Sequence, residues 1–151
     1  MSATGRAWAR AGALAAVVLA LDQLTKALVR DGVALTDDDG PIVYVRNKGV
    51  AFGAFEDQVA VVIVVIAIAV LALLVYFARH AAKPYMWVPT GLLAGGAVGN
   101  IFDRVRDGAV TDFIKLPAWP AFNIADIAIT FGVIALVLAL EQNDRAADRG
   151  S

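Results

Sequence analysis

One uninterrupted apolar run limits the possible folds of this chain more than any other feature. Residues 59–78 contain no charged residue, no glycine and no proline. A helix of about 20 such residues spans the roughly 30 Å hydrocarbon core of a lipid bilayer. The chain of 151 residues is 60% hydrophobic and 18% charged, whereas a typical soluble domain is about 25% charged. The sequence therefore predicts an integral membrane protein.

Three other segments are apolar enough to accompany this run across a membrane. The four predicted transmembrane helices are 11–29, 59–78, 85–104 and 119–140. The first has an alternative interpretation as a cleavable signal peptide, because Arg6 and Arg10 precede its apolar stretch. No small-x-small cleavage site follows Leu21, which favours a retained helix. We predict an all-α integral membrane protein, a single domain of four transmembrane helices with a polar C-terminal tail at 141–151.

Lysine and arginine are unevenly distributed between the connecting segments. The amino terminus carries two arginines, and the connection after the second helix carries Arg79 and Lys83 without an acid. Residues 31–58 hold more acidic than basic residues. Short loops rich in lysine and arginine face the cytoplasm in membrane proteins. We therefore expect both termini in the cytoplasm, and segments 31–58 and 106–118 on the extracytoplasmic side.

The first extracytoplasmic segment contains strand-forming residues. Residues 41–53 place β-favouring side chains on both sides of Asn47-Lys48-Gly49. Asparagine and glycine at the centre of such a stretch are typical of a tight turn between antiparallel strands. We therefore predict a small extracytoplasmic β-hairpin over these residues.

Composition excludes several kinds of chemistry. The chain has no cysteine and one histidine, His80. Disulfides and thiol nucleophiles are therefore impossible, and so is a metal site built from several histidines. The net charge of −1 argues against a nucleic-acid partner, which would require a basic face. Aspartate, asparagine, lysine and arginine remain to carry any chemistry, and we expect neither a metal ion nor a cofactor.

Several polar residues lie inside the predicted helices. Asp22 and Lys26 are four positions apart and share a helix face, so they either pair with each other or serve a function. Asn100 and Asp103 share a face at the end of the third helix, where Arg104 can form a charge-assisted pair. A structural clasp and catalysis both fit this group. Ionisable residues in membrane segments are costly and are therefore functional candidates.

The third predicted helix also has a stripe of small residues. Gly91, Gly95 and Gly99 recur at four-residue spacing. Such a stripe lets the backbone of a second helix approach closely. We interpret it as a helix-packing surface.

Two further aspartates are candidates for acid–base chemistry. Asp126 follows Asp112 by fourteen positions, across Pro117 and Pro120, where the chain turns back into the membrane. With a helix start near Pro120, Asp126 would lie about 9 Å inside the helix, with Asn123 on the same face. Two close carboxyls in a low-dielectric site share one proton, so one can activate water while the other protonates a leaving group. The same residues could instead form a proton or cation path, or a clasp between helices.

Five short motifs contain these residues in a fixed order along the chain. They are Asp22-Gln23-Leu24-Thr25-Lys26, Asn47-Lys48-Gly49-Val50-Ala51-Phe52-Gly53, Gly95-Gly96-Ala97-Val98-Gly99-Asn100-Ile101-Phe102-Asp103-Arg104-Val105, Val110-Thr111-Asp112-Phe113 and Phe122-Asn123-Ile124-Ala125-Asp126. In these motifs the chain resembles bacterial lipoprotein signal peptidase, also called signal peptidase II, along nearly its whole length. The resemblance implies four transmembrane helices and a small extracytoplasmic β-structure that cradles the substrate.

The resemblance also implies an activity and its residues. It implies that Asp112 and Asp126 are the catalytic dyad of an aspartic endopeptidase. Supporting or substrate-contacting roles are implied for Asp22, Lys26, Asn47, Gly49, Asn100, Asp103, Arg104 and Asn123. The implied reaction is hydrolysis of the peptide bond before the diacylglyceryl-modified cysteine of a prolipoprotein, near the extracytoplasmic face of the bacterial cytoplasmic membrane.

The resemblance leaves prolipoproteins and membrane lipids as the expected partners. We expect the protein to act as a monomer and without a cofactor. Two other functional classes remain as alternatives from the residues themselves. One is a small ion or proton transporter, and the other is a non-catalytic membrane scaffold.

Overall fold

A computed structural model describes residues 1–33, 40–48 and 58–148 of the chain. These ranges form four α-helices and two short β-strands. In chain order, the elements are α1 (Ala3–Arg30), β1 (Ile42–Asn47), α2 (Val59–His80), α3 (Trp87–Asp107), β2 (Val110–Ile114) and α4 (Ile124–Asp148). The two strands form one antiparallel sheet. We call the end of the helix bundle that carries this sheet the sheet end, and the opposite end, where α1 starts, the amino-terminal end.

Three of the four helices have the length and composition of a membrane span on their own. They are α1, α2 and, in α4, residues Ile124–Asn143. α3 is less apolar, but its glycines and the polar residues Asn100, Asp103 and Arg104 are buried where it packs against α1 and α4. Polar side chains in a membrane segment are tolerated when protein covers them in place of lipid. The predicted four-helix membrane fold is confirmed.

Glycines let α3 touch its neighbours through the backbone. A methyl group on Gly95 would lie 2.7 Å from the carbonyl oxygen of Ala15 on α1. A methyl group on Gly96 would lie 2.6 Å from the carbonyl oxygen of Ala125 on α4. Both distances are well below van der Waals contact, so any larger residue would force the helices apart. The predicted close packing along the glycine stripe is confirmed, and Gly96 extends it to a second helix.

The sheet differs from the predicted hairpin. Residues 42–47 form a strand as predicted, but among the described residues its partner is β2. Val45 lies opposite Asp112, and Asn47 lies opposite Val110. The long-range pairing forms because β2 follows directly after α3, whose packing against α1 brings both strands to the same end of the bundle. The predicted turn at Gly49 and the second arm of the hairpin lie outside the described residues.

The start and end of α4 also differ from the sequence prediction. The helix begins at Ile124, five residues later than predicted. Residues before it are held in an extended loop, because Phe122 and Ile114 form an isolated antiparallel bridge. Asp126 therefore lies in the first turn of α4 and not six residues inside the helix. At the other end, α4 continues through part of the predicted polar tail to Asp148.

Candidate active site

Asp112 lies at the centre of β2, where backbone pairing on both sides holds it in place. Val45 of β1 lies opposite it, and on the other side the chain folds back on β2. There the backbone N–H groups of Phe113 and Ile114 donate to the carbonyl of Phe122 at 2.9 and 2.8 Å. Asp112 itself is only 2% exposed. The sheet end therefore presents a buried carboxyl close to the start of α4.

Asp126 is held by a reciprocal cap at the start of α4. The backbone N–H of Asp126 donates to Oδ1 of Asn123 at 2.9 Å, and the backbone N–H of Asn123 donates to Oδ2 of Asp126 at 3.3 Å. This is the capping-box arrangement, here built from asparagine and aspartate. A carboxylate in the first turn also lies at the positive end of the helix dipole. Local helix capping thus fixes the orientation of the second carboxyl.

Three asparagine side chains hold the two carboxyls in place. Asn123 Nδ2 donates to Oδ1 of Asp112 at 2.7 Å, so the residue that caps α4 also contacts β2. Asn47 Nδ2 donates to the other oxygen of Asp112 at 2.9 Å. Asn100 Nδ2 donates to Oδ1 of Asp126 at 2.9 Å. Each carboxyl is therefore held by amide donors from at least two separate elements.

The environment of Asp112 changes its acidity. Burial raises the pKa of the Asp112 carboxyl to about 6. Hydrogen bonds from Asn47 and Asn123 act against burial, whereas the negative charge of Asp126 acts in the same direction as burial. An ordinary aspartate has a pKa near 4. Asp112 therefore holds its proton up to a pH at which a surface aspartate is fully ionised.

An ionic network lies behind the two carboxyls. Nζ of Lys26 lies 2.8 Å from Oδ2 of Asp22 and 2.9 Å from Oδ2 of Asp103. All three side chains are 0% exposed. Lys26 also donates to Oδ1 of Asn100 at 3.1 Å. The alternative that Asp22 and Lys26 pair with each other is confirmed, and the pair also reaches a residue that holds Asp126.

The same network ties α1 to the elements that carry the carboxyls. Oδ1 of Asp22 accepts the backbone N–H of Ala125 in the first turn of α4 at 3.0 Å. Oδ2 of Asp103 accepts the backbone N–H of Thr111 in β2 at 3.2 Å. Gln23 donates to both acids, at 3.1 Å to Asp22 and 2.9 Å to Asp103. Gln23 was absent from the predicted site residues, although an amide next to Asp22 in a membrane helix was a usable signal.

Asp112 and Asp126 line one cavity of about 420 Å³ at the sheet end. Asn47, Asn100 and Arg104 also line it. A second, apolar cavity of about 700 Å³ lies between α2, α3 and α4. Both cavities include Ile66, Asn100 and Ile129 in their walls. The apolar cavity between the helices therefore adjoins the cavity that the two carboxyls line.

The structure brings nearly all of the predicted site residues together. Those that line the carboxyl cavity are Asn47, Asn100, Arg104, Asp112 and Asp126. Four others lie behind the cavity. They hydrogen-bond either to residues that line it or to the backbone of β2 and α4, and they are Asp22, Lys26, Asp103 and Asn123. Gly49 lies outside the described residues. Sequence reasoning missed Trp119, an exposed aromatic on the cavity wall, because nothing in its own motif distinguishes it from a loop residue.

Known proteins resemble the chain in both sequence and structure. The sequence model of the family described as Signal peptidase (SPase) II matches residues 14–141. The lipoprotein signal peptidase of Halothermothrix orenii is 33% identical over 138 residues, which cover 87% of this chain and 95% of that protein. The lipoprotein signal peptidase of Moorella thermoacetica is 39% identical over 131 residues, which cover 82% of this chain and 87% of that protein.

A solved structure is also similar to the chain over most of its length. A solved structure of a bacterial membrane enzyme superimposes with a TM-score of 0.79 at 32% identity, and the match covers 89% of this chain and 88% of that one. The family match begins within α1 and ends within α4, so it includes both carboxyls, the cavity and the ionic network. The chain therefore belongs to the signal peptidase II family.

Proposed function

We propose that Asp112 and Asp126 are the catalytic dyad with which this signal peptidase II removes the signal peptide from prolipoproteins. The observation that carries the proposal is that both carboxyls line one cavity and that Asn123 donates to both, with its side chain to Asp112 and its backbone N–H to Asp126. The bond cleaved is the peptide bond before the diacylglyceryl-modified cysteine. A transporter is not favoured, because the chain belongs to a peptidase family and α2 contributes no charged residue before Arg79.

The chemistry follows from one proton shared between two carboxyls. Burial favours Asp112 as the holder of that proton. Asp126, which is partly exposed to the cavity, accepts a proton from water as the oxygen attacks the scissile carbonyl. The protonated Asp112 gives its proton to the carbonyl oxygen as the tetrahedral intermediate forms. When the C–N bond breaks, the leaving nitrogen takes the proton that Asp126 received from water, and Asp112 recovers its own proton from the hydroxyl of the intermediate. Titration belongs to the pair and not to one residue.

The apolar cavity of about 700 Å³ supports a lipid-modified substrate. Its walls are almost entirely aliphatic side chains of α2, α3 and α4, and it shares Asn100 with the carboxyl cavity. A substrate carried in the bilayer can enter between these helices and place its scissile bond beside the dyad. We further propose that both termini face the cytoplasm, that the sheet end faces the extracytoplasmic side, and that one chain forms a complete site as a monomer.

The assay for this function is the processing of purified substrate. We expect the purified protein in detergent to shorten a diacylglyceryl-modified prolipoprotein on a gel, and to leave the unmodified precursor intact. A metal chelator should not change the rate, because the proposed chemistry uses only carboxyls. Equal cleavage of the unmodified precursor, or loss of activity with chelator, would contradict the proposed mechanism. Ion flux through the protein in liposomes, without any processing, would favour the transporter.

The pH dependence of the reaction tests the role of Asp112. Above an apparent pKa near 6, the pair loses its shared proton and the general acid disappears. We expect kcat/KM to fall about tenfold for each further pH unit. Asn47→Ala removes a donor that stabilises ionised Asp112. In this variant, the fall of kcat/KM on the alkaline side of the pH profile should therefore begin about one pH unit higher. Tyr44→Ala, an exposed change on the same strand, is the control and should leave the pH profile unchanged. An unchanged pH profile in Asn47→Ala would count against Asp112 as the acid.

A further inference from the structure

Another cavity, polar and of about 300 Å³, lies at the amino-terminal end of the bundle, opposite the carboxyl cavity. It opens between the start of α1 and the connection from α2 to α3. Three cationic side chains line it, Arg6 and Arg10 from α1 and Lys83 from the connection. No lining residue is acidic. The cavity therefore concentrates positive charge from two separate parts of the chain.

No carboxylate neutralises these three cations within the part of the chain that the structure describes. Arg6 donates to the backbone carbonyl of Met1 at 2.7 Å. The guanidinium of Arg10 lies 5.9 Å from the centre of the Trp87 ring. Neither contact cancels a positive charge. Like charges that line one cavity repel each other, and a bound anion would relieve this repulsion.

The position of the cavity indicates the kind of anion. Its walls belong to the ends of membrane-spanning helices, where lipid headgroups lie. Tyr85 and Trp87 also line the cavity, and Tyr85 is 64% exposed. Tyrosine and tryptophan are enriched at the headgroup level of membranes. An anion at this depth, beside lipid-facing helices, is most simply the phosphate of a phospholipid.

We propose that this cavity binds the headgroup of an anionic phospholipid. Basic pockets between transmembrane helices on the cytoplasmic side bind such headgroups. Charges that only direct membrane orientation need not share a cavity, and Arg79 is an example because it lies at the same end but does not line this cavity. The proposal does not depend on the peptidase activity, since the two cavities lie at opposite ends of the bundle.

The test is lipid binding to the purified, delipidated full chain, measured by native mass spectrometry. We expect the wild-type protein to retain phosphatidylglycerol in preference to phosphatidylcholine, and inorganic phosphate not to displace it. The triple variant Arg6→Gln, Arg10→Gln, Lys83→Gln should weaken phosphatidylglycerol binding, by roughly fivefold for each charge removed. Arg79→Gln, the matched control, should bind as the wild type does.

Several outcomes would overturn the proposal. They are equal binding of the two lipids by the wild-type protein, unchanged binding by the triple variant, and an equal loss in Arg79→Gln. Displacement by inorganic phosphate would show a free-anion site and would also overturn it. If the triple variant does not fold, the single variant Lys83→Gln in the exposed connection decides: a loss of about fivefold supports the site, and no loss refutes it.

Discussion

Asp112→Asn and Asp126→Asn are each expected to reduce kcat/KM for a lipid-modified prolipoprotein by about a thousandfold or more. Asparagine has nearly the same shape as aspartate but can neither give up nor deliver the shared proton. The two losses should not add in the double variant, because the residues act as one unit. The measurement is initial processing rate on a gel at equal enzyme concentration.

The control separates loss of chemistry from loss of fold. The control variant is Asp107→Asn, at the same end of the bundle. The Asp107 carboxyl pairs with exposed Arg106 and does not line the carboxyl cavity. This variant should keep wild-type activity. Both dyad variants should still fold in detergent with only a modest drop in unfolding temperature, because the oxygen of the new amide keeps one of the two hydrogen bonds that each carboxyl accepts. Near-normal processing by either dyad variant would remove that residue from the mechanism, and failure of both to fold would favour the scaffold alternative.

Lys26→Met is expected to cause the largest loss of stability. Nζ of Lys26 is the cation between two fully buried carboxylates, Asp22 and Asp103. Removal of one partner from a buried ion pair usually costs about 3–5 kcal/mol, because the remaining charge stays buried without compensation. The free energy of unfolding should fall by about that amount. Chemical denaturation of the purified protein in mixed micelles measures it.

A matched exposed pair provides the control for this variant. Arg145 and Glu141 on α4 form an ion pair with side chains 69% and 50% exposed. Arg145→Gln should change the free energy of unfolding by less than about 1 kcal/mol. Equal effects of the two substitutions would show that the buried network contributes no more to the free energy of unfolding than an exposed ion pair does. Lys26→Met should also lower kcat below the unfolding temperature, because Lys26 holds the amide of Asn100 that donates to Asp126.

The candidate dyad could be predicted from the sequence, but the way it is held could not. Asp112 and Asp126 stand in motifs that are readable without a structure, and a turn between them was implied by Pro117 and Pro120. The bridging role of Asn123 was only partly visible. Its spacing placed it on the face of Asp126, whereas its contact with Asp112 depends on how the loop folds back across β2.

Two local predictions did not include the contacts of β2, for one physical reason. Residues 42–47 were expected to pair with a neighbouring arm, and α4 was expected to start near Pro120. In both places, β2 supplies the competing contact, through its ladder with β1 and its bridge to Phe122. A strand partner distant in sequence leaves no periodic signal near the residues that it pairs with. Local turn propensity therefore could not indicate β2 as a partner.

The sequence by itself determined which segments enter the membrane and which residue types are available for chemistry. Both are local properties, since about 20 apolar residues suffice for a span and the absence of cysteine is a matter of composition. Only the tertiary structure decided which polar groups meet. Lys26 reaches Asn100 across 74 positions of the chain, because backbone contact at the glycines of α3 leaves no room for other side chains between the helices. Packing of whole helices, and not any local pattern, therefore places the ionic network behind the two carboxyls.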